Sequence, residues 1–104
     1  MKKRIVIIDD DIVIVRLCRH YLESEHNEIW SYQDPEKFLS EVAMVDPCVA
    51  VVDYRLPGMS GVDLMEKAQA VLGKKIPSVF ITGNSDSLTK ASIEHQESCK
   101  VFQK

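Results

Sequence analysis

The sequence is poor in the features that would announce a nucleic-acid partner, a membrane segment or a disulfide scaffold. No basic cluster is longer than "KKR" at residues 2–4, and 13 Lys plus Arg are outnumbered by 16 Asp plus Glu, for a formal charge of −3. Phosphate backbones are gripped by clustered cations, so no nucleic acid is expected to bind this chain. The apolar run Ile5 to Ile8 is stopped by Asp9, Asp10 and Asp11, too soon for the core of a signal peptide. No run approaches the ~20 residues of a membrane span, so no membrane partner is expected. Cysteine is scarce. Cys18, Cys48 and Cys99 are odd in number, widely spaced and set among apolar neighbours, which fits reduced core thiols rather than disulfides or a zinc site. A cytoplasmic setting follows as an expectation. Linkers, internal repeats and low-complexity stretches are also missing. With 104 residues, 45% of them hydrophobic, residues 1–104 are expected to form one domain around one core.

Five short segments rich in β-branched and aromatic residues, "RIVII", "EIWSY", "CVAVV", "PSVFIT" and "KVFQ", read as strands separated by stretches that can be helical. Such alternation implies an α/β fold with a parallel sheet. The first, third and fourth are apolar almost throughout, as central strands covered on both faces should be, and "NEIWSY" is mixed enough for an edge. Asp11 suits the N-cap of a first helix whose stripe is Ile14, Leu17, Cys18, Tyr21 and Leu22. That stripe leaves Ile12, Val13 and Val15 unaccounted for. A second helix starts with Asp34 as cap and Pro35 in the first turn, burying Phe38, Leu39 and Val42. A third starts at Ser60, with Asp63 in capping-box position, presents Val62, Met65 and Leu72, and stops at Gly73. The polar stretch 85–97 reads as a fourth.

In an open parallel sheet, sites form at the carboxyl ends of the strands, near the point where strand order reverses. Asp9 and Asp10 follow strand one, Asp53 ends strand three, Thr82 strand four and Lys104 strand five. Three carboxylates, a hydroxyl and an ammonium are therefore expected on one edge. Two carboxylates about 5 Å apart repel by roughly 3 kcal/mol at an effective dielectric near 20, so three of them call for a cation. Mg²⁺ suits them, since it takes hard oxygen ligands and keeps positions open for water and phosphate oxygens. Thr82 and Lys104 would then face phosphate oxygens, which outlines a phosphoryl-transfer site.

"IVIIDDD", "VVDYRLPGMSGVDL", "VFITG" and the final lysine together resemble the signatures of a response-regulator receiver domain, in order and across the whole chain. The resemblance implies a doubly wound, flavodoxin-like (CheY-like) fold with a five-stranded parallel sheet in the order 2-1-3-4-5 and helices on both faces. It implies Asp53 as phosphoacceptor, Asp9 and Asp10 as the acidic pair holding Mg²⁺ with Asp53 and the Arg55 backbone carbonyl, Thr82 as switch hydroxyl and Lys104 as phosphate-pairing lysine. Phosphate would come from a sensor histidine kinase or a phosphotransfer protein, with a homodimer or an effector domain as further partners. Such a module modifies only itself and is not an enzyme with an outside substrate. Two departures stand out: Val101 occupies the position where receivers usually carry an aromatic, and the fifth helix that normally follows the lysine is absent, as if the domain were truncated after its fifth strand. Two other readings compete. One is a degenerate receiver that only binds proteins. The other is a haloacid-dehalogenase-like phosphatase with Asp9 as nucleophile, suggested by Asp9-x-Asp11, Thr82 and a later lysine. His20, His26 and His95 have no ligand spacing and read as surface residues.

Overall fold

The computed structural model of the chain describes residues 2–82 and 99–103. Along them run β1 (Lys3–Ile8), α1 (Ile12–Leu22), β2 (Asn27–Tyr32), α2 (Pro35–Val45), β3 (Val49–Asp53), β4 (Arg55–Leu56), β5 (Met59–Ser60), α3 (Gly61–Leu72), β6 (Ser78–Thr82) and β7 (Cys99–Gln103). Five strands form one sheet in the order β2-β1-β3-β6-β7, and every pairing in it is parallel. The expected order 2-1-3-4-5 is therefore the observed one once the short β4–β5 hairpin is counted apart. The proposed fourth helix at 85–97 and Lys104 lie outside the described residues.

Local chemistry sets the helix ends. The Asp11 carboxylate accepts from the Val13 N–H at 2.9 Å, and Asp34 accepts from Glu36 at 3.0 Å with Pro35 at the start of α2. The Ser60 hydroxyl accepts from the Asp63 N–H at 3.1 Å, and Gly73 closes α3 in the left-handed conformation. Each satisfies a donor or acceptor that the helix backbone leaves open.

The main core joins one face of the sheet to α2 and α3. Val6, Ile8, Ala50, Val52 and Phe80 meet Phe38, Val42, Val45, Leu64, Met65 and Ala68 there. Alternation along β1 turns Ile5 and Ile7 to the other face, where they are buried outside that cluster together with Val15 of α1. Helices thus cover both faces, as a doubly wound chain requires. On the α1 face Val49, Val51, Val79 and Ile81 are only half-buried, so β3 and β6 are less covered there than on the face that meets α2 and α3.

The orientation of α1 differs from the expected stripe. Val15 is buried at 4% exposure, whereas Leu17 and Tyr21 are 50% and 77% exposed. The helix is rolled toward β2, and on that side the Arg19 guanidinium donates to the Ile29 carbonyl and the Ser31 hydroxyl, both at 3.4 Å. This roll accounts for Val15, one of the residues the stripe left over, and Ile12 and Val13 remain exposed. The cysteines also differ from the expected core thiols: Cys18 is half-buried and Cys48 exposed, both unoxidised. The side chain of Cys48 points to the surface at the start of β3, where its thiol donates to the Arg4 carbonyl at 3.2 Å.

Phe38 is fully buried and its ring packs at 5.6 Å on that of Tyr32. Phe38→Ala is expected to lower the unfolding free energy by about 3–5 kcal/mol through lost burial and a residual cavity, measured as a shift of the urea midpoint.

Candidate functional site

Sheet order reverses between β1 and β3, whose connections leave in opposite directions. At the carboxyl ends of those two strands lie Asp9, Asp10 and Asp53. A carboxylate oxygen from each falls within 4.8 Å of the others. Asp9 and Asp53 are 1% and 5% exposed, and Asp10 opens to solvent. Three oxygen ligands of this hardness and spacing, two of them withdrawn from water, fit a small divalent cation such as Mg²⁺. At that separation each ionised pair would repel by about 3 kcal/mol at an effective dielectric near 20.

Several contacts hold the carboxylates against that repulsion. Oδ1 of Asp9 accepts from the Asp11 N–H at 2.9 Å, and the Asp9 N–H donates to the Tyr32 carbonyl at 3.1 Å. Oδ1 of Asp53 accepts from the Arg55 N–H at 3.3 Å. Beyond Asp53 the Tyr54 N–H is tied to the Ile81 carbonyl at 2.9 Å, and the chain doubles back through β4 and β5 around Pro57 and Gly58. Gly58 has φ +81°, a conformation natural to glycine in a tight turn. The return brings Gly61 onto the strand it left: its N–H donates to the Tyr54 carbonyl at 2.6 Å, and a Cβ at this position would overlap the Asp53 carbonyl oxygen and press on Val52. Gly61 is therefore what lets α3 begin directly against the phosphoacceptor candidate.

Of the residues expected at the site, Asp9, Asp10 and Asp53 come together. Thr82 is the last residue of β6, paired with Gln103, so its backbone lies at the same edge. Arg55 follows directly, its N–H on Asp53. Lys104 falls outside the described residues. Asp11, the second acid of the phosphatase reading, caps α1 and does not belong to the carboxylate cluster. Sequence reasoning missed Gly61, Tyr32 and Gln33. The "PGMSG" spacing held the signal for Gly61; nothing in the letters marked the other two.

Tyr32 anchors the β2 side of the pocket. Its hydroxyl donates to Oε1 of Glu41 at 2.7 Å. Burial, followed by the hydrogen bond to Glu41 and its negative charge, pushes the phenol up to about 12.

The sequence matches the response regulator receiver domain family over residues 5–102, and the chain belongs to that family. It is 32% identical to the response regulator protein TmoT of Ectopseudomonas mendocina over 79% of this chain and 37% of that protein. It is 28% identical to the DNA-binding response regulator MtrA of Mycobacterium tuberculosis over 85% of this chain and 38% of that protein. The chain thus spans less than two fifths of the curated relatives it matches. Among solved structures, a CheY-like receiver domain protein from Methanospirillum hungatei is similar, with 27% identity, TM-score 0.80, all of this chain and 82% of that one. A receiver domain protein from Clostridium thermocellum shares the fold at TM-score 0.83 and 19% identity, over 98% of this chain and 82% of that one. Receiver domains of two-component response regulators serve as phosphoacceptors, and the family is not one of conventional enzymes.

Two outcomes test the geometry. Gly61→Ala should cost about 1–3 kcal/mol, as overpacking does, read by urea unfolding. Because the folded-state phenol of Tyr32 titrates above its unfolded value, its contribution to stability is complete below about pH 10 and is lost as pH rises through about 12. Wild type should therefore lose stability between those values relative to Tyr32→Phe; parallel pH profiles would refute the assignment.

Proposed function

We propose that residues 1–104 act as a cytoplasmic receiver module in which Asp53 accepts a phosphoryl group from a phosphohistidine on a sensor histidine kinase or phosphotransfer protein. The observation that carries this reading is the meeting of Asp9, Asp10 and Asp53 within 4.8 Å at the switch point of the sheet. In the transfer, a carboxylate oxygen of Asp53 forms a bond to phosphorus as the phosphorus–nitrogen bond breaks, and the imidazole leaves with the electron pair and takes up a proton. Asp53 is delivered by the central strand β3 with its carboxylate turned by the Arg55 N–H, so the attacking oxygen is oriented before the donor arrives. Asp9, Asp10, Asp53 and the Arg55 carbonyl would hold Mg²⁺. The ion, when bound, offsets the charge of the carboxylates and of the phosphoryl oxygens. Thr82 and Lys104 would each bond a phosphoryl oxygen, and their change of partner on formation of the acyl phosphate would be the signal passed to an effector.

Incubation with Mg²⁺ and a small acyl-phosphate donor, followed by intact mass, should show one phosphoryl adduct. The adduct should require Mg²⁺ and vanish in Asp53→Asn at unchanged far-UV signal. A folded wild type without an adduct would replace this reading by that of a binding module.

A further inference from the structure

Gln33 sits between β2 and α2, exposed, where a glutamine is ordinarily a solvated turn residue. Its position relative to the acidic loop is not ordinary. The β1–β2 ladder ends with the pair Ile8↔Tyr32 and a last rung from the Asp9 N–H to the Tyr32 carbonyl. Beyond that point the backbone turns away, because Asp34 is already the cap of α2. The Gln33 side chain takes over the next rung: its Nε2 donates to the Asp10 carbonyl at 3.3 Å.

That carbonyl belongs to the same peptide unit as the Asp11 N–H, which donates to Oδ1 of Asp9 at 2.9 Å. A rigid, planar peptide is therefore held at both ends, by Gln33 on one side and by the Asp9 carboxylate on the other. Donation to the carbonyl also polarises the N–H of that peptide and strengthens its bond to the carboxylate. We propose that Gln33 is a positioning residue of the acidic pocket, fixing the Asp10–Asp11 peptide and through it the Asp9 carboxylate and the direction in which Asp10 leaves the backbone. Its consequence for metal affinity rests on the receiver reading above; the hydrogen-bond chain does not.

The test uses the whole isotope-labelled chain with Mg²⁺ alone and no phosphodonor, comparing wild type, Gln33→Met and Gln33→Ala by nuclear magnetic resonance. Methionine keeps the side-chain length and removes the donor. In both variants the Mg²⁺ dissociation constant should rise about two- to tenfold, the scale of one net hydrogen bond, and the Asp11 amide should exchange faster with solvent, with the urea midpoint unchanged. Wild-type affinity and wild-type Asp11 exchange in Gln33→Met overturn the proposal. Faster Asp11 exchange at unchanged affinity overturns its claim on the metal pocket. A wild type that shows no response to Mg²⁺ sinks the receiver reading of the metal site instead, and Asp11 exchange then decides the role of Gln33 by itself. Should Gln33→Ala unfold, Gln33→Met alone decides between these outcomes.

Discussion

Mutual repulsion among Asp9, Asp10 and Asp53 is the constraint around which the carboxyl edge of this domain is arranged. Like charges within 4.8 Å separate unless something holds them, and a cation attracts them only when it is present. The protein therefore holds them by other means. Asp53 ends a central strand that is paired on both sides, by β1 and by β6. Asp9 follows β1, which is also paired on both sides, and backbone N–H groups from Asp11 and Arg55 turn toward the two buried carboxylates. Backbone donors and strand pairing together thus hold the two buried carboxylates in place at the edge of the sheet.

The supporting contacts come from segments distant in sequence. Tyr32 accepts from Asp9 through its carbonyl, grips α2 through Glu41 and packs on Phe38. Gly61 starts α3 against the backbone of Asp53. The core made by α2 and α3 and the geometry of the pocket are thus one structure, and a loss of packing at Phe38 would reach Asp9 through Tyr32 alone.

Much of this was legible in the letters. The five strands, three helix caps and the grouping of Asp9, Asp10 and Asp53 follow from apolar runs, cap residues and the position of acids at strand ends, because those signals are local and chemically specific, whereas the strand order came only from the family resemblance. The roll of α1 was not legible. Ile12, Val13, Ile14, Val15 and Leu17 give an apolar pattern wide enough for several buried faces, and tertiary contacts of Val15 and Arg19 select one. The half-buried and exposed states of Cys18 and Cys48 were hidden for a similar reason, since apolar neighbours in sequence need not be neighbours in space. Gln33 carried no signal at all: a glutamine before a helix acquires meaning only when the fold brings Asp10 across from it.

The contact of Arg19 with β2 bears on how the molecule behaves in a crowd of its own copies. Strand β2 is a sheet edge, and its outward-facing carbonyl at Ile29 is occupied by the Arg19 guanidinium, which also reaches Ser31. An exposed edge invites another strand to add to it. An incoming strand would have to displace a cation already bonded to that carbonyl and bring its own backbone past the charge. The β2 edge thus carries its own guard against strand addition, drawn from the helix that this strand follows in the chain.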